Sequence, residues 1–261
     1  MLSRSDRSFL KGACLGDGYL RRVGPASALL QIAHSGQQRE YLRWKVGRLN
    51  RILNCSNPIR DYQAETDGAI HEVTRWWSET RTELYPLWKE LYPQGRKRIT
   101  AGFLRDTGLE GLALLYMDDG NLHLRKRGSS PRTGQPYVRE RIVELALYLP
   151  HDACIMVSDW IEGLTGASLT PREPMRSKSP GLWNLRGSGT QARQFVDVLR
   201  PYGCTAMSYK FDLRYDTRTC RGKVNWSEAD RTRHGVSEAD KVTRARSTQT
   251  ESMTAVGDEI V

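Results

Sequence analysis

Two short stretches carry acids in a setting that suits chemistry. Ser8 to Leu20 reads SFLKGACLGDGYL, and Glu110 to Leu122 reads EGLALLYMDDGNL. Each is an apolar run with small residues that ends at Asp-Gly: Asp17-Gly18 in the first and Asp119-Gly120 in the second, the acids 102 residues apart. One Asp-Gly alone marks a helix end followed by a turn. Two of them at matching places form a pattern. Gly12, Ala13 and Gly16 in the first run, and Gly111 and Ala113 in the second, stand at near-helical spacing. Small residues there let two helix backbones approach closely. If the helices pack together, Asp17 and Asp119 face each other at their feet. Two carboxylates at close range repel and want a divalent cation between them. Oxygen donors with retained waters suit Mg²⁺, with Mn²⁺ as a substitute. Such a site can activate a water and stabilise a leaving 3′ oxygen at a phosphodiester. Gly16 and Asp118, each just before a main acid, are auxiliary candidates for the metal site. The register makes Asp119 the principal ligand and Asp118 an assistant. Gly18 and Gly120 read as helix terminators with positive φ.

The surrounding chain reads as one unit written twice. After the first motif come strand-like runs over 19–23 and 28–35, then a helix over 38–53 with Leu42, Val46, Leu49 and Leu53 at helical spacing. Strands over 58–65 and 69–78 follow, joined by the turn Thr66-Asp67-Gly68, and a helix over 79–91 closes the half. After the second motif the order repeats. Strands cover 121–127 and 137–149, Pro150 starts a helix over 151–164, strands cover 168–175 and 181–186, and a helix runs over 190–199. The fold class is therefore α+β, with halves at residues 5–105 and 106–215. From residue 222 to 261 apolar periodicity is lost, and the composition predicts a polar, disordered tail.

Bulk properties narrow the partner. The chain of 261 residues carries a formal net charge of +10. The excess lies in residues 1–222, where 34 Lys and Arg stand against 23 Asp and Glu. A body that basic points to a polyanion, most often nucleic acid. No apolar run is long enough to cross a bilayer, and the N-terminus shows no signal peptide. Five widely spaced cysteines without a CxxC pair indicate neither a zinc site nor a disulfide framework. That predicts a reducing, intracellular setting, the cytoplasm of a prokaryote or an organelle such as a mitochondrion or chloroplast.

The pair LKGACLGDG and LALLYMDDG resembles the two signature motifs of a LAGLIDADG homing endonuclease of the single-chain, two-motif type. The YMDDG form, together with GRKRIT (Gly95 to Thr100) and MSYKF (Met207 to Phe211), is similar to the organellar-intron subgroup with its Met-x-Tyr-Lys ending. The resemblance implies two αββαββα halves in one monomer, with two four-stranded antiparallel sheets forming a saddle on double-stranded DNA. It implies that Asp17 and Asp119 are catalytic and bind the metals, and that Lys97 and Lys210 sit near the cleavage centre, Lys97 with Asp17 and Lys210 with Asp119. The activity implied is metal-dependent double-strand cleavage at a long, partly asymmetric target, with intron RNA as a second partner. Three residues depart from the pattern. Lys11 stands where the family is small or apolar and is expected to project outward; Thr100 replaces a usual Pro; Asp212 follows YKF where Pro is common.

Base reading should come from strands, whose side chains alternate between core and groove. The polar candidates are Arg21, Gln31, His34, Arg60, Gln63, His123, Arg125, Arg139, Arg172, Arg176, Asn184 and Arg186. Arg can take guanine, and Gln or Asn adenine. One residue of slip reverses every face, so the sequence leaves the register open. Trp76, Trp77, Trp88 and Trp183 read as core. Competing readings are an RNA-binding intron maturase, a DNA-binding protein that has lost catalysis, and a reverse transcriptase suggested by YMDDG. The last needs a third carboxylate on a polymerase scaffold, which the duplicated Asp-Gly does not supply.

Overall fold

The computed structural model describes residues 2–66, 68–129, 136–174 and 181–213. The first half is α1 (Arg4–Leu15), β1 (Gly18–Gly24), β2 (Ser27–Ser35), α2 (Arg39–Leu53), β3 (Arg60–Thr66), β4 (Ala69–Trp77) and α3 (Leu84–Leu91). A short α4 (Ala101–Arg105) leads into the second half: α5 (Leu109–Asp119), β5 (Gly120–Ser129), β6 (Pro136–Leu149), α6 (His151–Thr165), β7 (Thr170–Arg172), β8 (Trp183–Ser188) and α7 (Thr190–Leu199). Each half folds its strands into a four-stranded antiparallel sheet, ordered β1-β2-β4-β3 and β5-β6-β8-β7.

Helices α1 and α5 pack against each other at the centre. α5 is buried on every side from Gly111 to Met117, so its apolar residues need no polar stripe. The two backbones touch where both helices lack a side chain. A Cβ on Gly12 would stand 2.3 Å from Gly111 Cα, and one on Gly111 would stand 2.6 Å from the Ser8 carbonyl oxygen. Ser8 also closes the start of α5. Its Oγ accepts from the backbone N–H of Gly108 (2.8 Å) and of Gly111 (3.1 Å), serving donors that Gly108 has no side chain to satisfy. Outside this seam each sheet packs its inner face on the helices. Leu20, Leu30, Ile32 and Trp76 line the first core, and Leu122, Val143, Leu145 and Leu185 the second.

Several expectations are corrected. Gly18 and Gly120 do not take positive φ; Gly120 is extended at φ −86, ψ 147. They are needed for space: a Cβ at Gly18 would meet Ala13 O at 2.1 Å, and one at Gly120 would meet Tyr116 O at 2.3 Å. Lys11 does not project outward. It is buried, its Nζ donates to Phe103 O at 3.1 Å and lies 3.6 Å from carboxylate oxygens of both Glu90 and Asp106. α3 starts at Leu84 and not at 79, because Arg81 pairs as a β-bridge with Ala28. β7 spans three residues. Thr100 supplies what a Pro there could not: its hydroxyl caps α4 by accepting from Phe103 N at 3.1 Å. Gly68 takes φ 75, as the turn between β3 and β4 requires. The 222–261 tail lies outside the described residues.

Candidate active site

The helix pair brings the two Asp-Gly motifs together at one end of the seam. Asp17 follows the end of α1, and Asp119 is the last residue of α5. A lysine closes each helix end. Lys97 Nζ donates to Leu15 O (2.9 Å) and Gly16 O (2.8 Å). Lys210, in the 3₁₀ segment Thr205–Lys210, donates to Met117 O (2.6 Å) and Asp118 O (3.3 Å). Leu15 and Gly16 sit in the first motif where Met117 and Asp118 sit in the second, so the two lysines make the same contact in the two halves. The carbonyls they meet carry the negative end of each helix dipole. Lys210 is held further by Tyr116, whose hydroxyl donates to Lys210 O at 2.6 Å.

These groups perturb one another strongly. Burial and the negative charges of its neighbours push the Asp119 carboxyl up to about 7, against the pull of Lys97 and Lys210. Burial and Asp118 push Asp17 up to about 6, against Lys45, Lys210 and Lys97. Its side chain is 37% exposed, so water shares in screening that charge. Burial lowers both lysines from the ordinary ammonium value, and nearby acids oppose it. The acid that bears most on Lys97 is Asp119, across the pseudo-twofold axis, ahead of the expected Asp17. Raised carboxylates beside ammonium groups seated on carbonyls describe a site that can take more positive charge. Its oxygen donors fit a hard divalent cation, and Asp17 and Asp119 are the residues that would hold it.

Asp118 has a different job. Its side chain is wholly buried: Oδ1 accepts from Lys45 Nζ (2.7 Å) and Tyr41 OH (2.6 Å), and Oδ2 from the backbone N–H of Asp17 (3.0 Å). Burial alone would raise this carboxyl, but the Lys45 charge and the hydrogen bonds from Lys45 and Tyr41 bring it below its ordinary value. Gly16 leaves room for it, since a Cβ there would stand 2.1 Å from Asp118 Oδ2. His34 belongs here and not to the outer sheet face. Its Nε2 lies 3.2 Å from Lys45 Nζ, and its Nδ1 lies 3.1 Å from Gln38 Oε1 and 3.4 Å from Asp17 Oδ2. Burial, then Lys45, lower the imidazole to about 3, so it is neutral and accepts from Lys45 through Nε2. Ligand atoms of Asp17, His34 and Asp118 lie within 4.8 Å of one another. That spacing alone would suit a metal, but Lys45 already supplies a cation to Asp118 and His34. Lys45 and Tyr41 carry no sequence signal beyond helical spacing.

The strand registers sort the remaining candidates. On the first sheet Arg21, Gln31 and Arg60 share the outer face, where Tyr19 pairs with Gln31 and Gln31 with Trp77. Gln63 lies on the opposite face, with Asp61. Arg75, opposite Arg60, belongs to the outer set; its guanidinium lies 5.6 Å from the Tyr62 ring centre, as that of Arg60 lies 5.2 Å from that of Trp77. Trp77 is thus a half-buried platform on the outer face, while Trp76 is core. Alternation from Arg60 would have pointed to Tyr62, had the register been known. On the second sheet Arg172, Asn184, Arg186 and His123 share the outer face. Two of them are spent inside the protein. Asn184 is 3% exposed, accepts from Tyr148 N at 3.2 Å and donates to Glu144 Oε1 at 3.3 Å; His123 Nε2 stands 3.4 Å from Glu144 Oε2. Arg125 and Arg139 lie in β5 and β6, but their side chains fall outside the described ones, as does Arg176 altogether.

Known proteins share this fold. The profile of the LAGLIDADG DNA endonuclease family matches residues 7–147. Two relatives named Protein RecA, from Mycobacterium gastri and Mycobacterium shimoidei, are 26% and 27% identical over 223 and 221 residues. The matches cover 84% and 82% of this chain but 50% and 48% of the relatives, so the chain spans about half the length of the curated relatives it matches. The homing endonuclease I-WcaI, solved on its DNA recognition sequence, superposes with a TM-score of 0.66 at 16% identity, covering 81% of this chain and 88% of its own. The I-LtrWI LAGLIDADG homing endonuclease, solved on target DNA, gives 0.51 at 12% identity, with 88% and 95% covered. At these identities the likeness is one of fold.

Proposed function

The chain belongs to the LAGLIDADG DNA endonuclease family, and from that membership we propose that it is a site-specific, metal-dependent endonuclease that cuts both strands of a long, partly asymmetric DNA target. The observation that supports the reading is the repeated helix foot: Asp17 and Asp119 each follow carbonyls held by a lysine, and Asp17 is near enough to raise the Asp119 carboxyl. A divalent cation bound there supplies a Lewis acid and a water of lowered pKa.

The chain's own residues do the rest. Asp17 and Asp119 would hold the cation. The ammonium groups of Lys97 and Lys210 stand beside them and stabilise charge developing on the phosphate. In the reaction a water oxygen adds to phosphorus, the P–O3′ bond breaks, and the water's proton ends on the leaving 3′ oxygen. The outer face of the first sheet, with Arg21, Gln31, Arg60 and Arg75, supports a duplex-binding surface, and Arg172 and Arg186 extend it on the second.

An RNA-binding maturase would use the same basic faces without needing the acids. The raised carboxyls of Asp17 and Asp119 favour the nuclease, because a binding protein gains nothing from them. The test is cleavage of a randomised duplex library with Mg²⁺ by the wild-type protein and by Asp17→Asn/Asp119→Asn. Cutting at one long site by the wild type alone supports the proposal. Equal cutting by the double variant refutes the metal-site assignment, and no cutting by either refutes the nuclease reading.

A further inference from the structure

Among the described residues, the polar cluster beneath Asp17 has no counterpart beneath Asp119. Helices α2 and α6 correspond residue for residue: Leu42 with Cys154, Val46 with Ser158, Leu49 with Ile161 and Leu53 with Thr165, each pair 112 residues apart and each residue buried. On that alignment Lys45 corresponds to Val157, which is equally buried, and Tyr41 to Ala153. Gly18 pairs with Ile32 and Gly120 with Leu145; two residues further on, His34 corresponds to Leu147. Asp118 itself corresponds to Gly16, which has no side chain to offer. The first half therefore buries Lys45, Tyr41 and His34 around a carboxylate from the second half, where the second half is apolar.

The backbone explains what the cluster is for. α5 runs through Asp119, so that acid is fixed by its own helix. α1 stops at Leu15, two residues short of Asp17. The Asp17 amide is instead held by Asp118 Oδ2 (3.0 Å), and its carboxylate stands 3.4 Å from His34 Nδ1. Lys45 Nζ ties the two supports together, bonded to Asp118 Oδ1 and to His34 Nε2. We infer that Lys45 and Asp118 are positioning residues for Asp17 alone, so that the two strand scissions depend unequally on them. The inference rests on the nuclease reading above, because strand scission is its consequence. Its positioning part stands on the amide contact.

Removing one partner would leave a buried unpaired charge and destabilise the fold. The test is therefore Lys45→Met/Asp118→Leu, which replaces both charges with apolar groups of similar length and imitates the apolar second half. Duplex labelled separately on each strand is cut with Mg²⁺ by wild type and variant. Scission of one fixed strand is expected to slow by about ten-fold or more relative to the other, so that singly nicked duplex accumulates. Amide hydrogen exchange at Asp17 is expected to accelerate while that of Asp119 in α5 stays protected. Equal slowing of both strands, or no slowing, overturns the unequal dependence. Unchanged exchange at Asp17 overturns the positioning role. A wild type that cuts nothing refutes the nuclease reading and with it the unequal scission, and the exchange result still decides the positioning.

Discussion

Asp119→Asn should make the protein more stable while ending its activity, and the size of the gain follows from the site. The folded protein raises the Asp119 carboxyl from 3.8 to about 7, first through burial and then through Asp17 and Asp118. The folded value lies above the unfolded one. At low pH the group is protonated in both states and costs nothing. As pH climbs past the ordinary carboxylate value the unfolded chain ionises first, and the fold loses stability until the folded group ionises too. Each tenfold change in proton affinity is worth ~1.4 kcal/mol, which sets a ceiling of roughly 4 kcal/mol. Asp119 shares its repulsion with Asp17, and water reaches the mouth of the site, so a screened value of ~1–2 kcal/mol is the expectation. An amide removes the charge and keeps the shape. In a body of this size the gain corresponds to a Tm rise of ~3–6 °C. Thermal melts by circular dichroism in metal-free buffer should show that rise at about pH 8 and almost none at about pH 3, below the ordinary carboxylate value. Adding Mg²⁺ should stabilise the wild type and leave the variant unmoved. A variant that melts at or below the wild type at about pH 8, or a full offset that persists at about pH 3, would refute the reasoning.

Three further outcomes are expected. Gly12→Ala places a methyl 2.3 Å from Gly111 Cα, against backbone that cannot yield, and should cost ~2–4 kcal/mol by chemical denaturation; a change below ~0.5 kcal/mol would show that the seam can open. Lys210→Met removes the cation at Met117 O and Asp118 O and should cut cleavage rate by ~10²-fold while target affinity in gel shift stays within about threefold; a large loss of affinity would place this lysine in binding. Arg60→Ala/Arg75→Ala, on the outer face of the first sheet, should flatten the slope of log affinity against log salt by about 1 to 2. An unchanged slope would remove that face from the duplex.

How much was legible depends on what kind of constraint each residue answers. The repeated Asp-Gly and the apolar runs before it are local signals, and helices α2, α6 and α7 fall within a residue of their periodicity. Lys97 and Lys210 were legible only through resemblance, since nothing local tells a lysine that it will reach a helix end 82 or 93 residues away. The Lys45–Asp118 pair was hidden for the same reason: Lys45 occupies a core position of an amphipathic helix, and its partner comes from the other half. Faces of strands were unreadable wherever register decides them, so His34 and Gln63 stood among the polar strand candidates until the register put them on the face opposite Gln31 and Arg60. Lys11 shows the reverse failure. A charge at a core position reads as an outward side chain until Glu90, Asp106 and the Phe103 carbonyl gather round it.

The Ser8 hydroxyl begins the second half's central helix, and Gly12 and Gly111 share one point of contact. The two halves are thus not interchangeable modules. A chimera that joins the first half of this protein to the second half of a relative inherits a helix start whose cap lies in the other parent. It works only if the donor pair brings a hydroxyl at position 8 and two glycines at the crossing. Asp118 adds a fourth condition, because a second half that carries it needs Lys45 from the first. Grafting experiments that aim to exchange target specificity should therefore cut within the outer sheets, where the arginines face outward, and leave both central helices from one parent.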